Sequence, residues 1–178
     1  WDDWCAVREL LQNAMDAADA GGERPSMTYA DGKLVIASPM ERLPRKSLLL
    51  GCTTKSDERG QRGKFGEGYK LALLVFCRRN LSVRIHNGGE VWEPSFEKHP
   101  DFDNEPVLTI SVRPAINGDF YDGVKFVVDG FPPESWEIVK ARWIPDVNVD
   151  AIMKNGEAGN IYSGGLFIAK NLKLHRGY

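Results

Sequence analysis

Val7-Arg8-Glu9-Leu10-Leu11-Gln12-Asn13-Ala14-Met15-Asp16-Ala17 carries two patterns at once. The apolar pattern continues on both sides: Trp4, Val7, Leu10, Leu11, Ala14 and Ala18 recur at helical spacing and predict a helix over Asp2–Ala20. Its acidic start suits a helix N-terminus, and Gly21-Gly22 ends it. The polar pattern is Glu9, Asn13 and Asp16 at i, i+4 and i+7. At 100° per residue, Asn13 lies about 40° from Glu9 and Asp16 about 20° the other way, so the three share one stripe. A carboxylate, an amide oxygen and a second carboxylate on one ridge can hold a hard cation and orient a water. Mg²⁺ takes oxygen ligands and keeps several waters, so one protein ligand plus phosphates suffices. Taken alone, the stripe equally fits the solvated face of an amphipathic helix.

Outward from this helix, Met27–Ala30 and Lys33–Ser38 read as strands joined by Asp31-Gly32, a strong hairpin signal. Pro39 and Pro44 bracket a turn, and Arg45–Leu50 reads as a short helix. Residues 51–64 are polar, charged and glycine-bearing, the composition of a loop. Gly66–Arg79 predicts a second helix, with Tyr69, Leu73 and Phe76 on one side and Leu74 and Cys77 adding width. Strands are then expected at Leu81–His86, Glu90–Trp92, Val107–Arg113 and Val124–Val128, with Asn87-Gly88-Gly89 turning the first pair. Phe131-Pro132-Pro133 introduces a third helix over Glu134–Arg142. A last strand pair, Ile161–Tyr162 with Leu166–Ala169, turns on Ser163-Gly164-Gly165. Helices early and hairpin-connected strands later define an α/β (α+β) two-layer sandwich. At 178 residues this is one domain, and its abrupt ends suggest a piece of a longer protein.

The second chemical feature is Gly60-Gln61-Arg62-Gly63-Lys64-Phe65-Gly66-Glu67-Gly68-Tyr69-Lys70. Glycines let backbone N–H groups approach an anion closely. The segment runs into the second helix, whose unpaired N–H groups and dipole favour phosphate, and Lys64 and Lys70 add positive charge. The spacing is neither the Walker pattern nor the dinucleotide fingerprint.

Together the two features resemble the GHKL ATPases, the superfamily of DNA gyrase, the dimeric ATP-clamp chaperones, sensor histidine kinases and MutL. Val7–Ala17 is similar to the N-box, and its Arg-Glu-Leu opening to the chaperone branch. Gly63–Lys70 is similar to the second glycine box, and Gly51-Cys52-Thr53-Thr54-Lys55-Ser56 to the opening of the ATP lid. The resemblance covers roughly residues 4–130. It implies a Bergerat-type ATP-binding fold, a mixed and mostly antiparallel sheet with helices on one face. ATP would lie between the first helix and the glycine box, under a 51–64 lid.

By that resemblance Glu9 is the general base for the attacking water. Asn13 ligates Mg²⁺, and Asp16 supports the site. Thr53, Thr54 and Lys55 contact phosphates, as does the stretch Gly63, Lys64, Phe65, Gly66, Glu67 and Gly68, with Lys70 beside it. Arg8 is expected to partner a carboxylate. The implied activity is slow ATP hydrolysis driving a switch of lid or dimer contacts. A non-hydrolysing nucleotide sensor and a histidine kinase catalytic domain are the alternatives. A homodimer, further domains of the same chain and a lysine from a following domain belong to the same expectation.

The base end departs from the family. Its Asp-x-Gly-x-Gly box, whose Asp binds the adenine amino group, is replaced by Ile36-Ala37-Ser38-Pro39-Met40-Glu41-Arg42, with Ser38 where the Asp belongs. A later Gly-Thr appears as Gly123-Val124.

Composition agrees with a globular enzyme or switch and excludes little more. A net charge of −2 does not indicate general nucleic-acid binding, and no apolar run approaches a membrane span. No signal-peptide layout opens the sequence. Cys5, Cys52 and Cys77 lack metal-ligand spacing with His86, His99 and His175, and read as reduced thiols of a cytoplasmic protein. The five tryptophans are expected in core and interface positions, and Asp101–Glu105 as a solvated loop.

Overall fold

Strand pairing in the first part of the chain centres on the strand that arrives last. The computed structural model describes residues 1–19, 23–39, 42–48, 68–145 and 158–174. These fall into two compact units, Trp1–Pro133 and Glu134–Tyr178. In the first unit the elements are α1 (Asp3–Asp19), β1 (Ser26–Ala30), β2 (Lys33–Pro39), α2 (Gly68–Arg78), β3 (Ser82–Gly88), β4 (Glu90–Lys98), β5 (Pro106–Pro114) and β6 (Tyr121–Asp129). Short 3-10 turns occupy Arg45–Leu48 and Pro100–Phe102. The six strands form one sheet in the order β1-β2-β6-β3-β4-β5.

Every described pairing is antiparallel, so the parallel component expected of a mixed sheet is not found among the described residues. The connections account for this: β1–β2, β3–β4 and β4–β5 run on through short or local links, and such links reverse the chain. One of the two-residue turns is Asp31-Gly32, with φ 51° and 72°, the two positive values of a type I′ turn.

Two helices cover one face. Facing it, Ile36 pairs in register with Phe126, Phe126 with Ile85, and Ile85 with Trp92, an apolar row across four strands. Leu34, Val128 and Val83 form the next row. From α1, Trp4, Val7, Leu10, Leu11 and Ala14 are buried, and from α2, Tyr69, Ala72, Leu73 and Phe76. Fully burying each large side chain contributes about 1.5–3 kcal/mol. Just after β6, the Phe131 N–H donates to the Gly32 carbonyl at 2.8 Å. Its ring meets Tyr29 and Phe76 edge-on, both at 6.4 Å. Trp4 and Trp92 are core residues, whereas Trp1 is 63% exposed.

Strand β4 runs six residues past the expected Glu90–Trp92. Beyond Trp92 it pairs with β5 alone, so the N–H that Pro94 lacks is not missed on the β3 side.

The second unit carries α3 (Pro133–Arg142) and a hairpin of β7 (Asn160–Ser163) with β8 (Leu166–Lys170). Trp143 bridges to Leu166, the Ile144 N–H donates to the Gly165 carbonyl at 2.8 Å, and the Arg142 guanidinium lies 5.2 Å from the Phe167 ring centre. No helix among the described residues is long and apolar enough to cross a membrane.

At one end of the central strands Asp129 receives Arg84 at 2.9 Å and Lys33 at 3.2 Å from the flanking strands. Burial pushes its carboxyl up, but hydrogen bonds and charge from Arg84 and Lys33 outweigh this and hold it below the usual range. A lowered folded value contributes stability above the unfolded pKa of about 3.9, lost as pH falls through the folded value. Both cations are partly exposed, so the contribution is small. Asp129→Asn should lower the unfolding free energy by about 0.5–1 kcal/mol at pH 7 and by progressively less in acid. Urea titrations across pH check this; a loss that does not shrink in acid would show that the charge is not what Asp129 contributes.

Candidate functional site

Helix α1 delivers the polar stripe to two different neighbourhoods. Glu9, one turn before Asn13, lies against the start of α2. A Cβ placed on Gly68 would overlap Glu9 Oε2, and Glu9 Cδ would stand only 3.3 Å away. The missing side chain at 68 is therefore what admits the carboxylate beside the α2 backbone. A carboxylate at a helix N-terminus is favourably placed in the helix field. The other oxygen, Oε1, accepts from Arg8 Nη2 at 3.1 Å, with 20% of the Glu9 side chain exposed. Arg8 thus partners a carboxylate, and that carboxylate is Glu9 itself.

Asn13 and Ser38, expected at opposite ends of a bound nucleotide, line one crevice. Leu10, Asn13 and Ala14 of α1 face Ile36 and Ser38 of β2 and Val124 and Phe126 of β6, with Leu43 and Tyr69 completing the lining. Ser38 reaches this face because it continues the Leu34, Ile36 alternation of β2. Its Oγ is buried, with the residue 2% exposed, and has no hydrogen-bond partner among the described residues. Leaving a buried hydroxyl unsatisfied costs about 1–3 kcal/mol. The crevice holds about 20 Å³, room for about one water, so a ligand of base size requires its lining to part. A larger hollow of about 360 Å³ on α2, lined by Trp1, Leu71, Leu74, Val75, Arg78 and Arg79, contains none of the expected site residues.

Two clamps hold the Leu43 side of the crevice. The Asn87 side chain accepts from the Leu43 N–H at 2.9 Å and donates to the Leu43 carbonyl at 2.8 Å. Tyr69 Oη donates to the Ser47 carbonyl at 2.5 Å, and burial pushes the Tyr69 phenol up. Arg42 to Asp122 at 2.9 Å and Arg45 to Glu90 at 2.6 Å add exposed ion pairs to the same segment. Leu43, Tyr69, Asn87 and Phe126 were not among the expected site residues. Tyr69 adjoins Gly68 and Leu43 follows the Ile36–Arg42 stretch, so each lay beside a sequence signal without being named for the site.

Asp16 and Lys70 are each 7% exposed, and each is engaged by other groups. Burial removes the solvated-face reading for Asp16. Neither residue is among those lining the crevice. Thr53, Thr54, Lys55, Gly63, Lys64, Phe65, Gly66 and Glu67 lie outside the described residues, as does the expected 51–64 lid. Among the described residues no group of three or more His, Cys, Asp or Glu forms a metal cluster. A Mg²⁺ completed by phosphate and water oxygens does not require one.

Fold and site thus define a helical layer on an antiparallel sheet, with a carboxylate docked at a helix start and an unsatisfied hydroxyl in a crevice beside it. Compared with models of known families the sequence matches none, and no curated protein matches it.

The Glu9–Gly68 contact is measurable without any ligand. Alanine favours a helix over glycine by about 1 kcal/mol, but at 68 its methyl group must displace the carboxylate. In a double-mutant cycle of Gly68→Ala with Glu9→Ala, urea unfolding should give a coupling of about 0.5–2 kcal/mol, the alanine at 68 being better tolerated once Glu9 is truncated. Additive effects would mean the carboxylate does not occupy that place.

Proposed function

We propose that the Trp1–Pro133 unit is a Bergerat-type, GHKL-like domain that binds Mg-ATP and hydrolyses it slowly. The observation that carries this reading is the Glu9 carboxylate lying against Gly68. It joins the stripe of the first helix to the last glycine of the glycine-rich segment, two features nearly 60 residues apart that the resemblance pairs in one site. The crevice shared by Asn13 and Ser38 supports the same placement, with phosphates toward the start of α2 and the base toward β2.

In this reading Glu9 accepts the proton of the attacking water, an action on water rather than on the nucleotide. Asn13 would hold Mg²⁺ through its side-chain oxygen, and the ion would supply charge neutralisation at the phosphates. Asp16, which is buried, would support the site from behind, and Lys70, also buried, would add positive charge on α2 beside the phosphates. Hydrolysis would drive a switch in contacts with a second copy or with further domains. The Arg8 ion pair on Glu9 favours the alternative of a non-hydrolysing nucleotide sensor, since it engages the carboxylate that must take the proton.

Kinetics and calorimetry separate these readings. Glu9→Ala should abolish ATP turnover while leaving ATP affinity within a few-fold. Equal turnover in mutant and wild type removes Glu9 from the reaction; binding without turnover in wild type leaves the sensor. Asn13→Ala should weaken Mg-ATP binding far more than binding of metal-free ATP. The same loss with and without Mg²⁺ would show that Asn13 is not a ligand.

A further inference from the structure

Resting on the nucleotide-binding reading, we infer that the site accepts ATP and GTP with similar affinity, because the Ser38 hydroxyl in its crevice is buried without a hydrogen-bond partner among the described residues. Ser38 Oγ is buried and without a hydrogen-bond partner among the described residues, and it belongs to the crevice lining. The other polar groups of that lining are committed. Tyr69 Oη donates to Ser47, and Asn13, which also has a partner, is the residue assigned to the metal. The backbone of residue 38 lies within the β2–β6 ladder, where Ser38 pairs with Val124. Once the crevice parts to base size, Leu10, Ala14, Ile36, Leu43, Val124 and Phe126 would offer apolar surface to a flat ring, and these side chains do not distinguish one ring edge from another.

A hydroxyl is both donor and acceptor and turns about its C–O bond. It accepts from the 6-amino group of adenine and, turned, donates to the 6-carbonyl of guanine. Either purine satisfies the orphaned oxygen, so both recover what its burial costs. A carboxylate in the same place would only accept, attracting adenine and repelling the guanine carbonyl. A single pyrimidine ring would leave part of the apolar lining uncovered and bind more weakly.

Calorimetric titration of the full chain with Mg²⁺ and ATP, GTP or CTP tests this. The two purine nucleotides should bind within about tenfold of one another and CTP more weakly. Ser38→Ala should weaken ATP and GTP about equally, and Ser38→Asp should widen the gap in favour of ATP at least tenfold. A hundredfold wild-type preference for one purine overturns the inference while leaving nucleotide binding in place. CTP binding as tightly as the purines shows that the base is not held in this crevice and also overturns it. Absence of binding by all three overturns this inference and the nucleotide-binding reading together.

Discussion

The backbone ladder on both flanks of β6 is the constraint from which the first unit follows. Phe126 pairs with Ile36 on one side and Ile85 on the other, so one side chain closes the apolar row beneath both helices. The hairpin β1–β2 and the meander β3–β4–β5 have no described pairing with each other except through β6. Since β2 meets β6 across more than eighty residues, the sheet completes only when its last strand docks, a non-local closure that makes assembly cooperative. Phe131 then fastens the result: its N–H bonds Gly32, its carbonyl accepts from Tyr29 Oη at 3.1 Å, and its ring meets Phe76 of α2.

The same strand sets the chemistry of the crevice. Ser38, Val124 and Asn87 stand in one row across β2, β6 and β3, at the end of the sheet where Leu43 passes. The two polar members of that row differ in what they meet. Asn87 commits donor and acceptor to one backbone residue, Leu43, which fixes the wall. Ser38 Oγ meets no hydrogen-bond partner among the described residues. One row thus holds a satisfied buried amide and an unsatisfied buried hydroxyl. A net hydrogen bond contributes about 1 kcal/mol whereas an unmade buried one costs more, so the two side chains contribute with opposite sign. An orphaned group of this kind inside an otherwise well-paired sheet marks where the fold carries a cost that packing alone does not require.

Much of the architecture could be read from local chemistry. Apolar spacing in 2–20, the Asp31-Gly32 turn and β-branched runs such as Val124–Val128 are signals that nearby residues decide, and the elements formed within a few residues of where they were expected. The failures share a cause in long-range pairing. Pro94 argues locally against a strand, yet β4 continues because β5 supplies all its partners there. Asp122 and Gly123 weaken the strand signal at the start of β6, which the flanking strands restore. Taken alone the Glu9, Asn13, Asp16 stripe also fits a solvated face, and only the packed tertiary structure shows Asp16 buried. At the site, the position of Ser38 in the hairpin was legible, but not its orphaned state. That state depends on where Leu43 and Tyr69 end up, 5 and 31 residues further along the chain.

The start of α2 joins these two levels. Gly68 and Tyr69 are consecutive and act in opposite ways: the first matters because it has no side chain, the second because its side chain is long and ends in a hydroxyl. Gly68 leaves the space that Glu9 Oε2 occupies, which ties α1 to the α2 backbone. Tyr69 reaches across the buried crevice lining to Ser47, which ties α2 to the segment leading into residue 49. One helical turn therefore meets both the carboxylate of the α1 stripe and the chain that enters the expected phosphate segment. The contacts are of different stiffness. The Tyr69 hydroxyl is buried against a backbone carbonyl, and breaking that bond would strand polar groups at about 1–3 kcal/mol each. Glu9 sits at the flexible end of a partly exposed side chain, held by an ion pair of the kind that contributes at most about 1 kcal/mol. Of the two ties at this turn, the carboxylate is thus the one that can move at small cost while the scaffold around it stays in place.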